Sequence, residues 1–377
     1  MKKIKFAYLS SENPNNKKVW SGTHYSILKS LQQIGDVTIL GPYEPTLRVL
    51  ISKVLNQLYL RLFKKRISYR HSVFISKGYA IFFNKKLHQA NYDYIVAPAA
   101  SCEVAFIKTD IPIIYITDGT FDSCLGYHKS LSNLTQKSII EGNLIEQLAI
   151  NKSKTVIVSS QWAANSVINH YKKNAHSVKV IPYGANFEIT PTLNELRFET
   201  PKIWKLFFVG VYWENKGGDI AFNAFKQLIE KGYDVEFTIL GCVPPSNYVH
   251  PKMKVIPFID KNSSDGQQQM KSIYIEQHIL ILPTRFDCTP IVINEASAFG
   301  IPSLIANSGG VGGHLKENKN GFLIPYEDKG EQYATKIEEL INNPSLYLSL
   351  RTQTRELYEE ELNWHHWTNE FRKLLTI

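Results

Sequence analysis

The feature that most constrains this chain is a strand-and-helix rhythm that runs, stops once and starts again. Short apolar runs at 4–9, 37–40, 94–97, 113–116, 155–158 and 178–181 alternate with helical stretches at 24–34, 45–66, 136–151 and 163–172. Within 45–66, Leu47, Leu50, Ile51, Val54, Leu58 and Leu62 fall near helical spacing. Strands alternating with helices point to a parallel α/β sheet. Residues 183–202 interrupt the pattern: they are polar, carry Pro191 and Pro201, and read as a linker. Strand signals then resume at 206–209, 236–240, 254–256, 279–282 and 303–306, with helices at 219–231, 270–275 and 332–341. Gln267-Gln268-Gln269 reads as a loop. A chain of 377 residues exceeds one ordinary core, so two doubly wound domains are the expectation. Ligands of such sheets bind beyond the carboxyl ends of the strands.

Composition narrows the class. A hydrophobic content of 44% is that of a globular chain. The start at 1–10 turns polar too quickly for a signal peptide and reads as a first strand. No apolar run approaches the ~18 residues of a membrane span. Cys102, Cys124, Cys242 and Cys288 are scattered, which suits reduced thiols in a cytosolic protein. The eleven histidines show no metal spacing, and His365 and His366 read as packing residues of a C-terminal helix. A Walker loop, a serine nucleophile elbow and a first-turn Gly-x-Gly-x-x-Gly are all absent.

Candidate chemistry concentrates after the strand at 279–282. In Arg285-Phe286-Asp287-Cys288-Thr289-Pro290-Ile291-Val292-Ile293-Asn294-Glu295 two carboxylates lie eight positions apart. Thr289 suits a helix N-cap and Pro290 the first helical position. The N–H groups of Ile291 and Val292 would then face outward, where an anion is favoured. Glu295 would sit about 7.5 Å further along the axis. A diphosphate at the helix start would leave a ribose diol near Glu295, with Asp287 facing what lies beyond the phosphates. A second turn, Gly210-Val211-Tyr212-Trp213-Glu214-Asn215-Lys216-Gly217-Gly218, also follows a strand and opens a helix. Gly210 permits close backbone approach, and Lys216 offers a cation to a phosphate.

These residues resemble the retaining GT-B glycosyltransferases of family 4, the glycosyl transferases group 1. The family's Glu-x7-Glu element appears as Asp287-x7-Glu295, led in by Pro283-Thr284-Arg285-Phe286. Gly300-Ile301-Pro302, Ser308-Gly309-Gly310-Val311 and Asn320-Gly321-Phe322-Leu323 follow in the family's order. The resemblance is dense over 205–330 and looser over 1–190. It implies a GT-B fold: two Rossmann-like doubly wound parallel-sheet domains, 1–185 and 186–359, facing a central cleft. It also implies that the C-terminal helix, about 360–377, packs back on the first domain.

The resemblance further implies roles. Glu295 would accept hydrogen bonds from ribose hydroxyls, Asp287 would contact the donor sugar, and Lys216 with the backbone after Thr289 would hold the diphosphate. Phe258 and Ile259 would cradle the base. Gly22 and Thr23 match the first-domain loop that approaches the diphosphate. Asp118, in Thr117-Asp118-Gly119, takes the place of a family histidine. It is either a hydrogen-bonding partner for a sugar hydroxyl or acceptor, or a turn-forming residue before Gly119. Val211 replaces the usual family arginine, so either Lys216 acts with helix N-termini alone or another cation such as Arg285 substitutes.

The implied activity is metal-independent retaining transfer from a nucleotide-diphosphate sugar, a donor substrate rather than a cofactor, to a glycan or lipid-linked acceptor. Cell-surface polysaccharide or glycoconjugate synthesis is the implied setting. No Asp-x-Asp metal-nucleotide motif occurs, and no resident metal is expected. The alternatives are a nucleotide-sugar epimerase on the same fold and a catalytically silent GT-B partner subunit.

Charge adds one more expectation. Residues 45–92 hold Arg48, Lys53, Arg61, Lys64, Lys65, Arg66, Arg70, Lys77, Lys85 and Lys86 with no acid, more positive charge than the net +9 of the whole chain. Two readings fit: a surface for anionic lipid or a lipid-linked acceptor, or a core-facing helix with a solvated basic face. Nucleic acid is disfavoured, because no recognition motif accompanies the charge. The expected location is cytoplasmic, with the basic segment suited to peripheral contact at the inner face of the cell membrane.

Overall fold

The computed structural model of the protein describes residues 3–127 and 129–375. Among the described residues, twelve strands form two six-stranded sheets. The first contains β1 (Ile4–Tyr8), β2 (Gly35–Ile39), β3 (Tyr94–Pro98), β4 (Ile113–Thr117), β5 (Thr155–Val158) and β6 (Val178–Val180). Its order is β2-β1-β3-β4-β5-β6, and every pairing is parallel. The second contains β7 (Trp204–Val209), β8 (Val235–Leu240), β9 (Met253–Ile256), β10 (Ile279–Leu282), β11 (Ser303–Ala306) and β12 (Gly321–Ile324). Its order is β12-β11-β10-β7-β8-β9, again all parallel. Central strands such as Ile-Leu-Ile-Leu of β10 are buried throughout, as crossover helices on both faces require. Edge strand β9, with sequence Met-Lys-Val-Ile, is only partly covered.

The chain divides into two compact units: Met1–Ile181 with Glu370–Ile377, and Pro182–Asn369. The division falls a few residues before the expected one after Ala185. Tyr183 stacks on Trp364 at 5.9 Å, and the Ala185 N–H donates to the Leu362 carbonyl at 3.1 Å, which ties the supposed linker into the second unit. The expected C-terminal segment 360–377 is split for the same reason. Trp364 belongs to the second unit, whereas Phe371 meets Phe6 at 6.2 Å in the first. Thr376 and Ile377 of that expectation lie outside the described residues.

Several local expectations change. Gln267–Gln269 lie inside the helix Ser264–Ile275, which Ser263 caps by accepting from the Gly266 N–H. The 45–66 helix ends at Phe63, where Lys64 turns left-handed at φ 54°. Helices Val73–Leu87 and Pro344–Glu360 were not anticipated.

The second core forms around β7, β8 and β10, with Phe207, Ile239 and Ile281 fully buried. Tyr274, on the helix Ser264–Ile275, packs edge-on against Phe207 and Phe187 at 4.8 and 4.9 Å. That packing fixes the direction of its hydroxyl.

Candidate functional site

In the second sheet, β7 and β10 are neighbours although many residues separate them in sequence. From β7 the chain runs outward through β8 to β9; from β10 it runs the other way through β11 to β12. The order therefore reverses between β7 and β10, and loops leaving their carboxyl ends diverge. Three loops leave there: 210–217 after β7, 283–290 after β10 and 307–310 after β11.

Main-chain groups stitch these loops together. The Arg285 N–H donates to the Asn215 carbonyl at 2.9 Å, and the Gly310 N–H to the Asp287 carbonyl at 2.9 Å. The buried Thr284 hydroxyl donates to the carbonyls of Phe286 at 3.1 Å and Asn215 at 3.4 Å. Gly217 adopts φ +72°, and a Cβ there would fall 2.0 Å from the Pro283 carbonyl oxygen. Gly309 adopts φ +54°, and a Cβ there would fall 2.3 Å from the Asp287 carbonyl oxygen. Only glycine meets both demands at each position.

This frame brings Lys216 and Asp287 together as a salt bridge, with both side chains largely shielded from water. The Lys216 stem lies over Gly210, where a Cβ would come 2.7 Å from Lys216 Cγ. The Arg285 guanidinium pairs with Asp219 at 3.3 Å, on the first turn of the helix Gly218–Glu230, and Val211 is exposed.

The helix after Asp287 runs Ile291–Ala298, one residue later than expected. Pro290, at φ −76° and ψ 81°, is the N-cap residue, in the place expected of Thr289. The Ile291 N–H donates to the Thr289 carbonyl at 2.9 Å, closing an inverse γ-turn centred on Pro290. One of the two amides expected to face outward is thus engaged locally. Val292, the second helical residue, keeps an N–H that no intrahelical carbonyl can reach.

Glu295 is 2% exposed. Tyr274 donates its hydroxyl to Glu295 Oε2 at 2.9 Å, and Lys261 Nζ lies 3.2 Å from Oε1. Burial, followed by the neighbouring Glu295 charge and hydrogen bond, raises the Tyr274 phenol well above its ordinary value, so it remains a donor. The Lys261 carbonyl accepts from Gln267 Nε2 at 2.7 Å, which ties the Lys261 loop to the helix Ser264–Ile275. Sequence reasoning missed Lys261 and Tyr274. The one available signal was the capped helix start at Ser263, which would have put the Tyr274 position on a long buried face. Phe258 is exposed and Ile259 partly packed against the second core.

Gly22, Thr23 and Asp118 belong to the first unit. Trp20, Ser21 and Gly22 adopt successive positive φ values of 47°, 56° and 98°, and Gly22 is the N-cap residue of the helix Thr23–Gln32. Such backbone is costly for Trp and Ser and marks a segment held by its surroundings. Trp20 Nε1 donates to Asp118 Oδ2 at 3.0 Å, so Asp118 and the Gly22 loop meet within that unit. In the turn after β4, the Thr117 hydroxyl donates to the Gly119 carbonyl at 2.6 Å. Among the described residues no group of three or more His, Cys, Asp or Glu could hold a metal.

Two parallel sheets of this order, with loops of this kind at their carboxyl ends, define the GT-B class. Whole-chain likeness to solved structures bears on the fold alone. Sucrose-phosphate synthase from Thermosynechococcus elongatus superposes with a TM-score of 0.71 at 14% identity, covering 98% of each chain. Anabaena Alr3699/HepE in complex with UDP and glucose gives 0.64 at 14% identity, also covering 98% of each. Residues 204–343 match the family described as Glycosyl transferases group 1. A D-inositol 3-phosphate glycosyltransferase of Corynebacterium diphtheriae is 24% identical over 282 residues, 68% of this chain and 64% of that protein. The capsular polysaccharide biosynthesis glycosyltransferase CapM of Staphylococcus aureus is 23% identical over 244 residues, 58% of this chain and 60% of its own. The chain thus spans less than two thirds of the length of these curated relatives.

Proposed function

We propose that the protein transfers a sugar from a nucleoside-diphosphate sugar to a hydroxyl of a glycan or lipid-linked acceptor, with retention and without a divalent metal. The observation that carries this reading is the Lys216–Asp287 pair beside the reversal point of the second sheet, ahead of the helix Ile291–Ala298. A diphosphate there draws Lys216 Nζ and the Val292 N–H to itself and releases Asp287 toward a sugar hydroxyl. Glu295, oriented by Tyr274, exchanges its Lys261 contact for ribose hydroxyls. Within the first unit, Asp118 with Gly22 and Thr23 offers polar groups for a sugar hydroxyl.

In the reaction, the bond from the anomeric carbon to the diphosphate oxygen breaks. The acceptor oxygen bonds to the same face, and its proton passes to the departing phosphate oxygen. Lys216 and the helix amide neutralise charge as it develops on the leaving group, which lowers the barrier itself. The relatives named as a D-inositol 3-phosphate glycosyltransferase and as CapM support glycosyl transfer and a glycan or glycoconjugate product. The Anabaena structure with UDP and glucose supports a nucleotide-sugar donor.

The test is incubation of the purified protein with a panel of nucleotide sugars and candidate acceptors, in the presence of a metal chelator. Acceptor-dependent release of nucleoside diphosphate and a product of unchanged anomeric configuration are expected. An epimerised sugar formed without acceptor would instead identify an epimerase, and donor binding without turnover a silent subunit.

A further inference from the structure

In the first unit, the helix Thr46–Phe63 is amphipathic the wrong way round. Leu47, Leu50, Val54, Leu58 and Leu62 recur every three or four residues and so share one face. Their exposures are 71%, 58%, 61%, 49% and 64%. The inward face carries Val49, Ser52 and Asn56, whose Oδ1 accepts from the Ile67 N–H at 2.9 Å. A helix that only had to cover a core would put its leucines beneath it. Scattered exposed leucines are ordinary on any surface, but a continuous row of five on one helix is not.

Cations frame the row. Lys53 and Arg61 lie on the helix, and Lys64 and Lys65 stand exposed at its end, within the 45–92 segment that contains no acid. Tyr59 and Phe63, with rings 5.2 Å apart, flank the same end. The exit is anchored: the Arg66 N–H donates to the Asn133 carbonyl and the Arg66 carbonyl accepts from the Thr135 N–H, each at 2.9 Å. The row is therefore presented rigidly.

We propose that this helix is a membrane-interface element that lies in the plane of an anionic bilayer. Its leucine row enters the headgroup–acyl boundary, and the flanking cations meet lipid phosphates. Eighteen residues give a length of about 27 Å along the surface. No helix among the described residues is long and apolar enough to cross a membrane. Charge selects the occupant: a second copy would bring like cations together, whereas an anionic leaflet neutralises them. The inference is independent of the transferase reading, because neither its residues nor its test involves the second unit.

The experiment is flotation of the full-length protein with phosphatidylcholine vesicles, with and without phosphatidylglycerol, at low and high salt. Binding to the phosphatidylglycerol vesicles at low salt is expected, with little binding to phosphatidylcholine alone. The triple variant Leu50→Glu, Val54→Glu, Leu58→Glu should no longer float. Arg61→Gln with Lys64→Gln and Lys65→Gln, which leaves the helix pattern intact if the first variant fails to fold, should weaken partitioning about a hundredfold. A Val54→Trp probe should shift its emission to the blue on binding. Wild-type protein that stays with the soluble fraction at low salt overturns the proposal. So does flotation undiminished by either multiple variant, or a vesicle-silent protein whose leucine row instead mediates self-association on a sizing column.

Discussion

Glu146 offers a test of the buried chemistry in the first unit. It lies in the helix Gln136–Lys152, 2% exposed, and accepts from the Tyr115 hydroxyl of β4 at 2.9 Å. Burial pushes its carboxyl up from 4.5 to about 7, and hydrogen bonds from Tyr115, Ser101 and the Phe121 backbone only partly oppose it. Between these two values the folded chain holds a proton that the unfolded chain has released, so stability falls as pH rises. The contribution is fully present below 4.5 and is lost by passage through 7. At about 1.4 kcal/mol per unit, the loss across that window is roughly 3 kcal/mol. Glu146→Gln removes the proton and keeps an acceptor for Tyr115. Relative to wild type, the variant should gain roughly 3 kcal/mol between mildly acidic and mildly alkaline solution. Amide exchange in β4 is the suitable assay, because it reports opening of the first unit alone where a single global unfolding energy is ill-defined for two units. Parallel pH profiles for wild type and variant would refute the reasoning.

Three further outcomes follow from the second unit. Lys216→Ala should slow turnover by ~10²–10³-fold with the fold intact, the scale of losing one charge-stabilising group; near-normal steady-state rates would remove Lys216 from that role. Tyr274→Phe leaves an oxygen of a buried carboxylate without its donor. It should lower the opening free energy of the second unit by ~1–3 kcal/mol, read from amide exchange in β10, and weaken nucleotide binding by calorimetry. Gly217→Ala sets a Cβ against the Pro283 carbonyl at a positive φ and should destabilise by at least ~1 kcal/mol, read as a lowered melting temperature.

The sequence made the strands legible because parallel strands buried on both faces are short uninterrupted apolar runs. The motif around Asp287 and Glu295 was legible because its residue types and spacing occur together. The ion pairs were not. Lys216 and Asp287 meet only because β7 and β10 are adjacent, and Lys261 reaches Glu295 from the loop after β9. Such meetings depend on sheet order, which periodicity does not encode. The start of the motif helix moved because a γ-turn at Pro290 competes with Thr289 capping, a balance of local hydrogen bonds that leaves no compositional trace. Helix Thr46–Phe63 shows the sharpest limit: spacing says which leucines share a face, but only packing says which way that face turns.

The stitching of the three loops above β7, β10 and β11 relies largely on peptide N–H and C=O groups and on glycines that let backbones touch. Such contacts are blind to the side chains at the loop tips. Val211 and Tyr212 stand exposed on a loop whose path is set elsewhere, so they can be exchanged without disturbing the frame that orients Lys216. The scaffold thereby separates what must stay fixed from what is free to vary. A library confined to those two positions is the natural place to seek altered ligand preference at little cost in folding.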